Sequence, residues 1–332
     1  MKKFNSDLFQ VTAYKHIFHV FNTFLPTVVS PRTIFFRMAD LQPNNVINGY
    51  RILSVIGSGK FGKCYSVQNE RRAGATMVMK VLRNIPAEEQ AYQRELEVLR
   101  SLPQTYKFAT FIAEFQIDAN YKCIVMTYCG ISLHKLRLRN DDGRFSLENT
   151  LRIGYQLFDL VHSFHSFGWL HRDIHSGNVT LTTDQFHRPK LGIIDYGLCV
   201  PRNGPPSTDV LSMWNKSLYA NLGLPFTETD DYVTIVFLLM RCLNLQPLDR
   251  GDKPFDRPLF RAAQKAQFHH SPKTFLSLEY QWIGKLYTLV ESQRYTGIDI
   301  NAVKTYIRSV NRNFDPSSDV THTVRNGLVY ID

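Results

Sequence analysis

Trp169-Leu-His-Arg-Asp-Ile-His-Ser-Gly-Asn-Val179 is followed shortly by Ile194-Asp-Tyr-Gly-Leu198, and these two runs decide how the rest of the chain is read. Asp173 stands five residues before Asn178, and Asp195 is followed by an aromatic residue and then Gly197. Such spacing sets a carboxylate that can accept or orient a hydroxyl proton beside two oxygen ligands for a divalent cation. The same letters also fit a surface loop with capping Asp and Asn. What stands upstream separates the two readings.

Upstream, Ile56-Gly-Ser-Gly-Lys-Phe-Gly-Lys-Cys64 places Gly57, Gly59 and Gly62 in GxGxxG spacing. A dinucleotide-binding fingerprint with these letters opens a helix, whereas this one runs from the strand-like Tyr50-Arg-Ile-Leu-Ser-Val-Ile56 into Lys63-Cys-Tyr-Ser-Val67. A glycine turn between two strands is a flap that can close over phosphates, with Phe61 at its tip. Thr76-Met-Val-Met-Lys-Val-Leu82 continues an antiparallel meander. Pro86 then opens a helix ending near Leu102, with Tyr92, Leu96, Leu99 and Leu102 facing inward. Glu95 falls on that inner face and Glu97 on the other side. A carboxylate aimed inward needs a cation, and Lys80, which alone also fits an edge gatekeeper, is the one at hand. The pair would hold Lys80 extended toward the α- and β-phosphates of a nucleotide.

The 332 residues carry a formal net charge of +10, with 44% hydrophobic and 13% aromatic residues, which suits a folded chain with a large core. The positive balance fits an anionic partner as well as simple solubility plus a phosphate-handling site. Five scattered cysteines without CxxC spacing argue against a disulfide framework or a zinc site and fit a reducing intracellular compartment, cytoplasm or nucleus. Val233 to Met240 is the longest apolar run, far short of the roughly 18 residues a membrane span needs. It reads as a buried helix following Asp231 and capped by Thr229 or Asp230. Ser146 is an N-cap for a second helix, and Gly168 a stop for it. Residues 1–45 are aromatic, basic and nearly free of acids, and read as an extension rather than a transit peptide; Met38 is a candidate alternative start. Residues after about 312 are polar and expected to fray.

With these residues the chain resembles the protein kinase superfamily from about Tyr50 to Arg312, and within it the casein kinase 1 group, especially its tau-tubulin kinase-like branch. Arg94-Glu-Leu-Glu-Val-Leu99, Val125-Met-Thr-Tyr-Cys-Gly-Ile-Ser-Leu133 and His162-Ser-Phe-His-Ser-Phe-Gly-Trp-Leu-His-Arg-Asp173 carry the narrower likeness, together with Asp230-Asp231. The usual Ala-Pro-Glu is absent, and Lys216-Ser-Leu-Tyr-Ala-Asn-Leu222 stands where this group has Gly-Thr-x-Arg-Tyr-Ala-Ser. The resemblance implies an α+β bilobal fold, an N-lobe of about 46–128 with a small antiparallel sheet and one helix, and a mainly helical C-lobe of about 129–312. Residues 313–332 would be a tail. It implies a serine/threonine kinase using ATP and Mg2+ on protein substrates, acidic or phosphorylated ones among them, with no nucleic acid and no membrane span. Asp173, Lys80 and Glu95 would be catalytic, and Asn178 and Asp195 would hold the metal. Ile56, Gly57, Gly59, Phe61, Gly62, Cys64, Val78 and Lys80 would meet the nucleotide from above. The gatekeeper Met126, the hinge Thr127, Tyr128 and Cys129, and Thr180 under the adenine would complete the pocket.

Two departures stand out. The catalytic-loop Lys that neutralises the γ-phosphate in this family is His175, and the Thr that bonds to it is Lys216. Charge exchanged between the two positions is the expectation, with Lys216 or a protonated His175 as the cation. Leu218 replaces the group-typical Arg, which weakens the case for an upstream acidic preference. Arg172 has two readings, a partner for an anion in the activation segment or local packing. The rival to an active kinase is a pseudokinase that binds nucleotide or a partner; the retention of Lys80, Glu95, Asp173, Asn178 and Asp195 favours activity. A small-molecule phosphotransferase fits His-Arg-Asp and the paired aspartates less well, and the Ala-Ala-Arg element of tyrosine kinases is missing after Asp173.

Overall fold

In β4 (Met77–Arg83), side chains alternate between the two faces of a curled sheet, and this alternation sorts the N-lobe. Met79 and Val81 join Ile52, Tyr65, Val67, Cys123 and Val125 in a core of their own. Leu82, with Ile124 and Met126 from β6, turns to the opposite side and packs with the large core of the helical lobe. Lys80 shares that second face, so the strand period alone carries its ammonium toward the helix and the cleft.

The computed structural model describes residues 41–332 apart from 60–61, 72–73, 184–187, 209–213, 246–247, 249–257, 312, 317 and 327. Phe61 and residues 1–40 of the expected extension therefore lie outside the described residues. The strands β1 (Val46–Ile47), β2 (Tyr50–Gly59), β3 (Gly62–Asn69), β4, β5 (Phe111–Gln116) and β6 (Tyr121–Thr127) form a six-stranded antiparallel sheet in the order β1-β2-β3-β4-β6-β5. α1 (Pro86–Ser101) starts on its proline and buries Tyr92, Glu95, Leu96, Val98 and Leu99. Side chains tie it to the sheet: Arg83 pairs with Glu88, Lys122 with Glu89, and the Tyr92 hydroxyl donates to Glu114 at 3.2 Å.

Past the hinge come β7 (Ile131–Ser132), α2 (Leu133–Arg137), α3 (Leu147–Ser166), β8 (Trp169–Leu170), β9 (Val179–Thr183), β10 (Pro189–Ile193) and β11 (Val200–Pro201). The helical lobe is then completed by α4 (Leu218–Asn221), α5 (Glu228–Cys242), α6 (Pro258–His270), α7 (Gln281–Ser292) and α8 (Ile300–Val310). Ser146 caps α3 by accepting the Asn149 N–H at 3.2 Å, and Gly168 at φ +88° turns the chain after it. α5 begins earlier than expected. Its N-cap is Thr227, whose N–H donates to Asp230 at 2.7 Å, so neither Thr229 nor Asp230 is the cap and both lie inside the first turn. This bilobal α+β kinase architecture is the one expected from the two opening runs.

The expected fraying after residue 312 does not hold. β12 (His322–Arg325) and β13 (Leu328–Ile331) form a hairpin, and Phe314, Val320 and Ile331 belong to the buried core. Its anchor is Asn149, 0% exposed, whose amide donates to Asp332 O at 2.7 Å and to Thr321 O at 3.2 Å while its oxygen accepts from Thr321 N at 2.9 Å. Asn140 adds a bond to Ile331 O at 2.7 Å. A polar composition concealed this, because the backbone of the segment is satisfied by side chains far back in sequence.

Candidate active site

Four elements converge on the cleft. β4 brings Lys80 and α1 brings Glu95, and Lys80 Nζ donates to Glu95 Oε1 and Oε2 at 2.9 and 2.7 Å. It also reaches Asp195 Oδ1 at 2.9 Å, from the turn that follows β10. Burial opposes the Lys80 charge, but Asp195 and Glu95 outweigh it and raise its pKa above the ordinary lysine value. Asp195 is lowered: burial would raise it, and the adjacent Lys80 prevails. Glu97 is exposed, as the helical spacing requires.

The loop between β8 and β9 is held from below. Asp231 in the first turn of α5 accepts the backbone N–H groups of His171 and Arg172, each at 2.8 Å, and its Oδ2 lies 2.9 Å from His165 Nε2. With both N–H groups fixed, Arg172 adopts φ 67°, a left-handed backbone that needs such support outside glycine. The Arg172 guanidinium lies over the Phe226 ring at 5.7 Å and contacts Leu198 O at 3.5 Å.

Asp173 is approached from three sides. Lys216 Nζ, 0% exposed, donates to Asp173 Oδ1 at 2.5 Å and to Arg172 O at 2.6 Å. Asn178 Nδ2 donates to Asp173 O at 3.0 Å and to Asp173 Oδ2 at 3.2 Å. His175 Nε2 stands 3.6 Å from Asp173 Oδ2, while His175 Nδ1 accepts the Gly177 N–H at 3.0 Å. That second bond uses the Nδ1 lone pair, so Nε2 is the ring nitrogen that faces the carboxylate as a donor. Burial alone would raise the Asp173 carboxyl, but His175 and Lys216 hold it well below the usual carboxylate range. A buried ammonium from the segment just before α4 is thus set against the Asp173 carboxylate of the loop.

The residues singled out from the sequence thus meet at one cleft, and the sequence matches the protein kinase domain over residues 50–215. The chain belongs to the protein kinase family. Kinase relatives include a serine/threonine-protein kinase of Dictyostelium discoideum, named as probable, at 31% identity over 156 residues, 45% of this chain and 30% of that protein. Mitogen-activated protein kinase 12 of Danio rerio is 25% identical over 218 residues, 63% of this chain and 57% of that protein. A Caenorhabditis elegans protein provisionally named casein kinase I is 26% identical over 196 residues, 57% of this chain and 53% of that protein. The chain thus spans between 30% and 57% of the length of these kinases.

Around the kinase cleft, Gly57 and Cys64 pair across β2 and β3, and Cys64 pairs in turn with Lys80. Burial pushes the Cys64 thiol up to about 11, so it stays protonated near neutrality and is not an activated nucleophile. Ile56 sits between two paired residues, Val55 and Gly57, where the register shifts; Gly59 pairs with Gly62 at the turn. Val78 pairs with Met126 and Met77 with Thr127, and Tyr128 and Cys129, the expected hinge with Thr127, follow the end of β6. Thr180 is 2% exposed on β9, and its hydroxyl has no hydrogen bond among the described residues. Asn178 turns its NH2 toward Asp173, and its amide oxygen takes no hydrogen bond among the described residues. An amide oxygen and the Asp195 carboxylate, whose side chain is 40% exposed, form a hard-oxygen pair suited to Mg2+ bound jointly with phosphate. Among the described residues no group of three or more His, Cys, Asp or Glu could hold a metal by itself.

Tyr196, where the family usually has Phe, is fully buried and uses its hydroxyl twice: it donates to Ile193 O at 2.7 Å and accepts from Ala109 N at 3.0 Å. Its ring stacks on Phe164 with centroids 5.7 Å apart. Tyr196→Phe keeps the packing and orphans the Ala109 N–H, so urea denaturation should show a loss of about 1–3 kcal/mol. Sequence reading missed Asp231 as the clamp of the catalytic loop. It also missed the buried cluster of Asp230, Ser217 and Arg294, in which Ser217 donates to Asp230 at 2.5 Å and Arg294 at 2.9 Å. Asp230-Asp231 was the available signal, but nothing near it pointed to Arg294.

Proposed function

We propose that the chain is a serine/threonine protein kinase of the casein kinase 1 group, nearest its tau-tubulin kinase-like branch, transferring the γ-phosphate of ATP to protein hydroxyls. The contact between Lys216 and Asp173 carries the reading, because it restores a fixed cation where His175 has replaced the family lysine. Asp173 takes or orients the proton of the attacking hydroxyl. Lys216 keeps that carboxylate ionised and presents positive charge toward the incoming phosphate. Lys80, positioned by Glu95, neutralises the α- and β-phosphates, and the glycine flap covers them. Asn178 and Asp195 would hold magnesium, which when bound supplies charge neutralisation on the β- and γ-phosphate oxygens.

Support for the narrower group is the run 94–99, the hinge, the segment 216–222 in place of Ala-Pro-Glu, and a casein kinase I-named relative. Acidic protein substrates fit the net charge of +10, although Leu218 removes one group-typical cation. A magnesium-dependent transfer assay with labelled ATP and acidic protein substrate decides between the active kinase and the pseudokinase. Transfer to Ser or Thr that falls by at least about a hundredfold in Asp173→Asn supports the reading. Nucleotide binding without transfer by the parent overturns it.

A further inference from the structure

Lys135 was not singled out by sequence, yet it joins the two lobes at the mouth of the cleft. Its Nζ donates to Ile56 O, at the start of the glycine-rich turn. Both ends of this contact have a local cause. Ladder pairing passes from Val55–Tyr65 to Gly57–Cys64, so Ile56 is the extra residue of a bulge and has no register partner. An unpaired residue in a bulge leaves its backbone open to a partner outside the sheet. On the other side, Lys135 stands in the first turn of α2, where its N–H donates to the N-cap Ser132 at 3.4 Å. Leu133 and Leu136 are both fully buried and fix α2 to the helical lobe. The adjacent His134 N–H donates to Ser176 O at 2.7 Å, inside the catalytic loop. No carboxylate pairs with Lys135 among the described residues.

We propose that Lys135 is a nucleotide-retention residue, a tie that holds the glycine-rich flap down on α2 and slows nucleotide release. The inference rests on the kinase reading of the cleft. The route is short: Ile56 in the flap, Lys135 and His134 on one helical turn, and Ser176 between His175 and Asn178. A flap so tied is held in register with the loop that carries Asp173. Because the tie grips backbone and not ligand, it acts alike on every occupant of the adenine pocket. A cation acting directly on phosphate would instead favour ATP over adenosine.

The test combines stopped-flow release of fluorescent mant-ATP and mant-adenosine with hydrogen exchange of the amides of residues 51–59 in the nucleotide-free chain. Lys135→Met, which keeps the apolar stem, should speed release of both ligands by about threefold and hasten flap exchange, as expected for loss of one exposed hydrogen bond. Lys135→Arg should restore both. Unchanged release and exchange in Lys135→Met overturn the proposal. Faster release of mant-ATP alone with unchanged exchange also overturns it, since the effect would then be electrostatic. A parent chain that binds neither ligand overturns the kinase reading and the retention role with it, while the exchange of residues 51–59 still reports whether the tie exists.

Discussion

Lys216→Met should lower phosphoryl transfer by about two to three orders of magnitude, the usual effect of removing one preorganised charge from a transition-state site. The ammonium is fully buried, 2.5 Å from Asp173 Oδ1, and no other lysine or arginine is within ion-pair distance of that carboxylate among the described residues. His175→Ala should cost less, about tenfold or below, because the ring, oriented by the Gly177 N–H, stands 3.6 Å from Asp173 Oδ2 and acts as an orienting donor. Changing both to Ala should fall well below either single change. If turnover is the same in the double variant as in the parent, the exchanged-cation idea fails.

The pH profile of Lys216→Met carries independent information. In the parent, Lys216 and His175 hold the Asp173 carboxyl below its ordinary range against the opposing effect of burial. Without Lys216 burial gains weight, and the acid limb of kcat/KM should move to higher pH. A depressed carboxylate contributes stability that is present above its unfolded pKa of about 3.9 and is lost as pH falls through the folded value. The stability difference between parent and variant should therefore be largest near neutrality and shrink toward acid. Nucleotide binding and near-ultraviolet circular dichroism identify a variant that is folded but slow.

What sequence reading reached, and what it did not, follows the range of the interactions. β2 to β4 and α1 were legible because alternation and three-to-four-residue spacing are local signals, and Lys80 and Glu95 are fifteen residues apart within that local pattern. The bilobal fold followed from their order. Lys216 was reached only through its alignment with a family Thr, since nothing local shows that it folds back across 43 residues to Asp173. The C-terminal hairpin was missed because its anchor, Asn149, stands 183 residues before Asp332. Thr227 was different: Thr227-Glu-Thr-Asp230 has capping-box spacing, and attention to the N3 carboxylate would have found it. Lys135 has no such signature, because its acceptor is a backbone carbonyl exposed by a bulge.

Lys80→Met should destabilise the fold as well as abolish efficient transfer, and the two losses can be separated. In the parent one ammonium satisfies Glu95 and Asp195 together. Removing it leaves Glu95, 1% exposed, uncompensated in the cleft wall, a situation that costs about 3–5 kcal/mol. Burial and Asp195 already raise the Glu95 carboxyl against the pull of Lys80, so without Lys80 it should rise further. A carboxyl raised in the folded state contributes stability that is full below its unfolded pKa and lost as pH rises through the folded value. Urea midpoints of Lys80→Met should thus recover toward the parent at pH 5 and fall away at pH 8. Adding Glu95→Leu removes the stranded charge and should restore most of the stability, with transfer still absent because the phosphates have lost their cation. A double variant as unstable as Lys80→Met would show that the damage came from lost packing of the lysine stem rather than from an unpaired carboxylate.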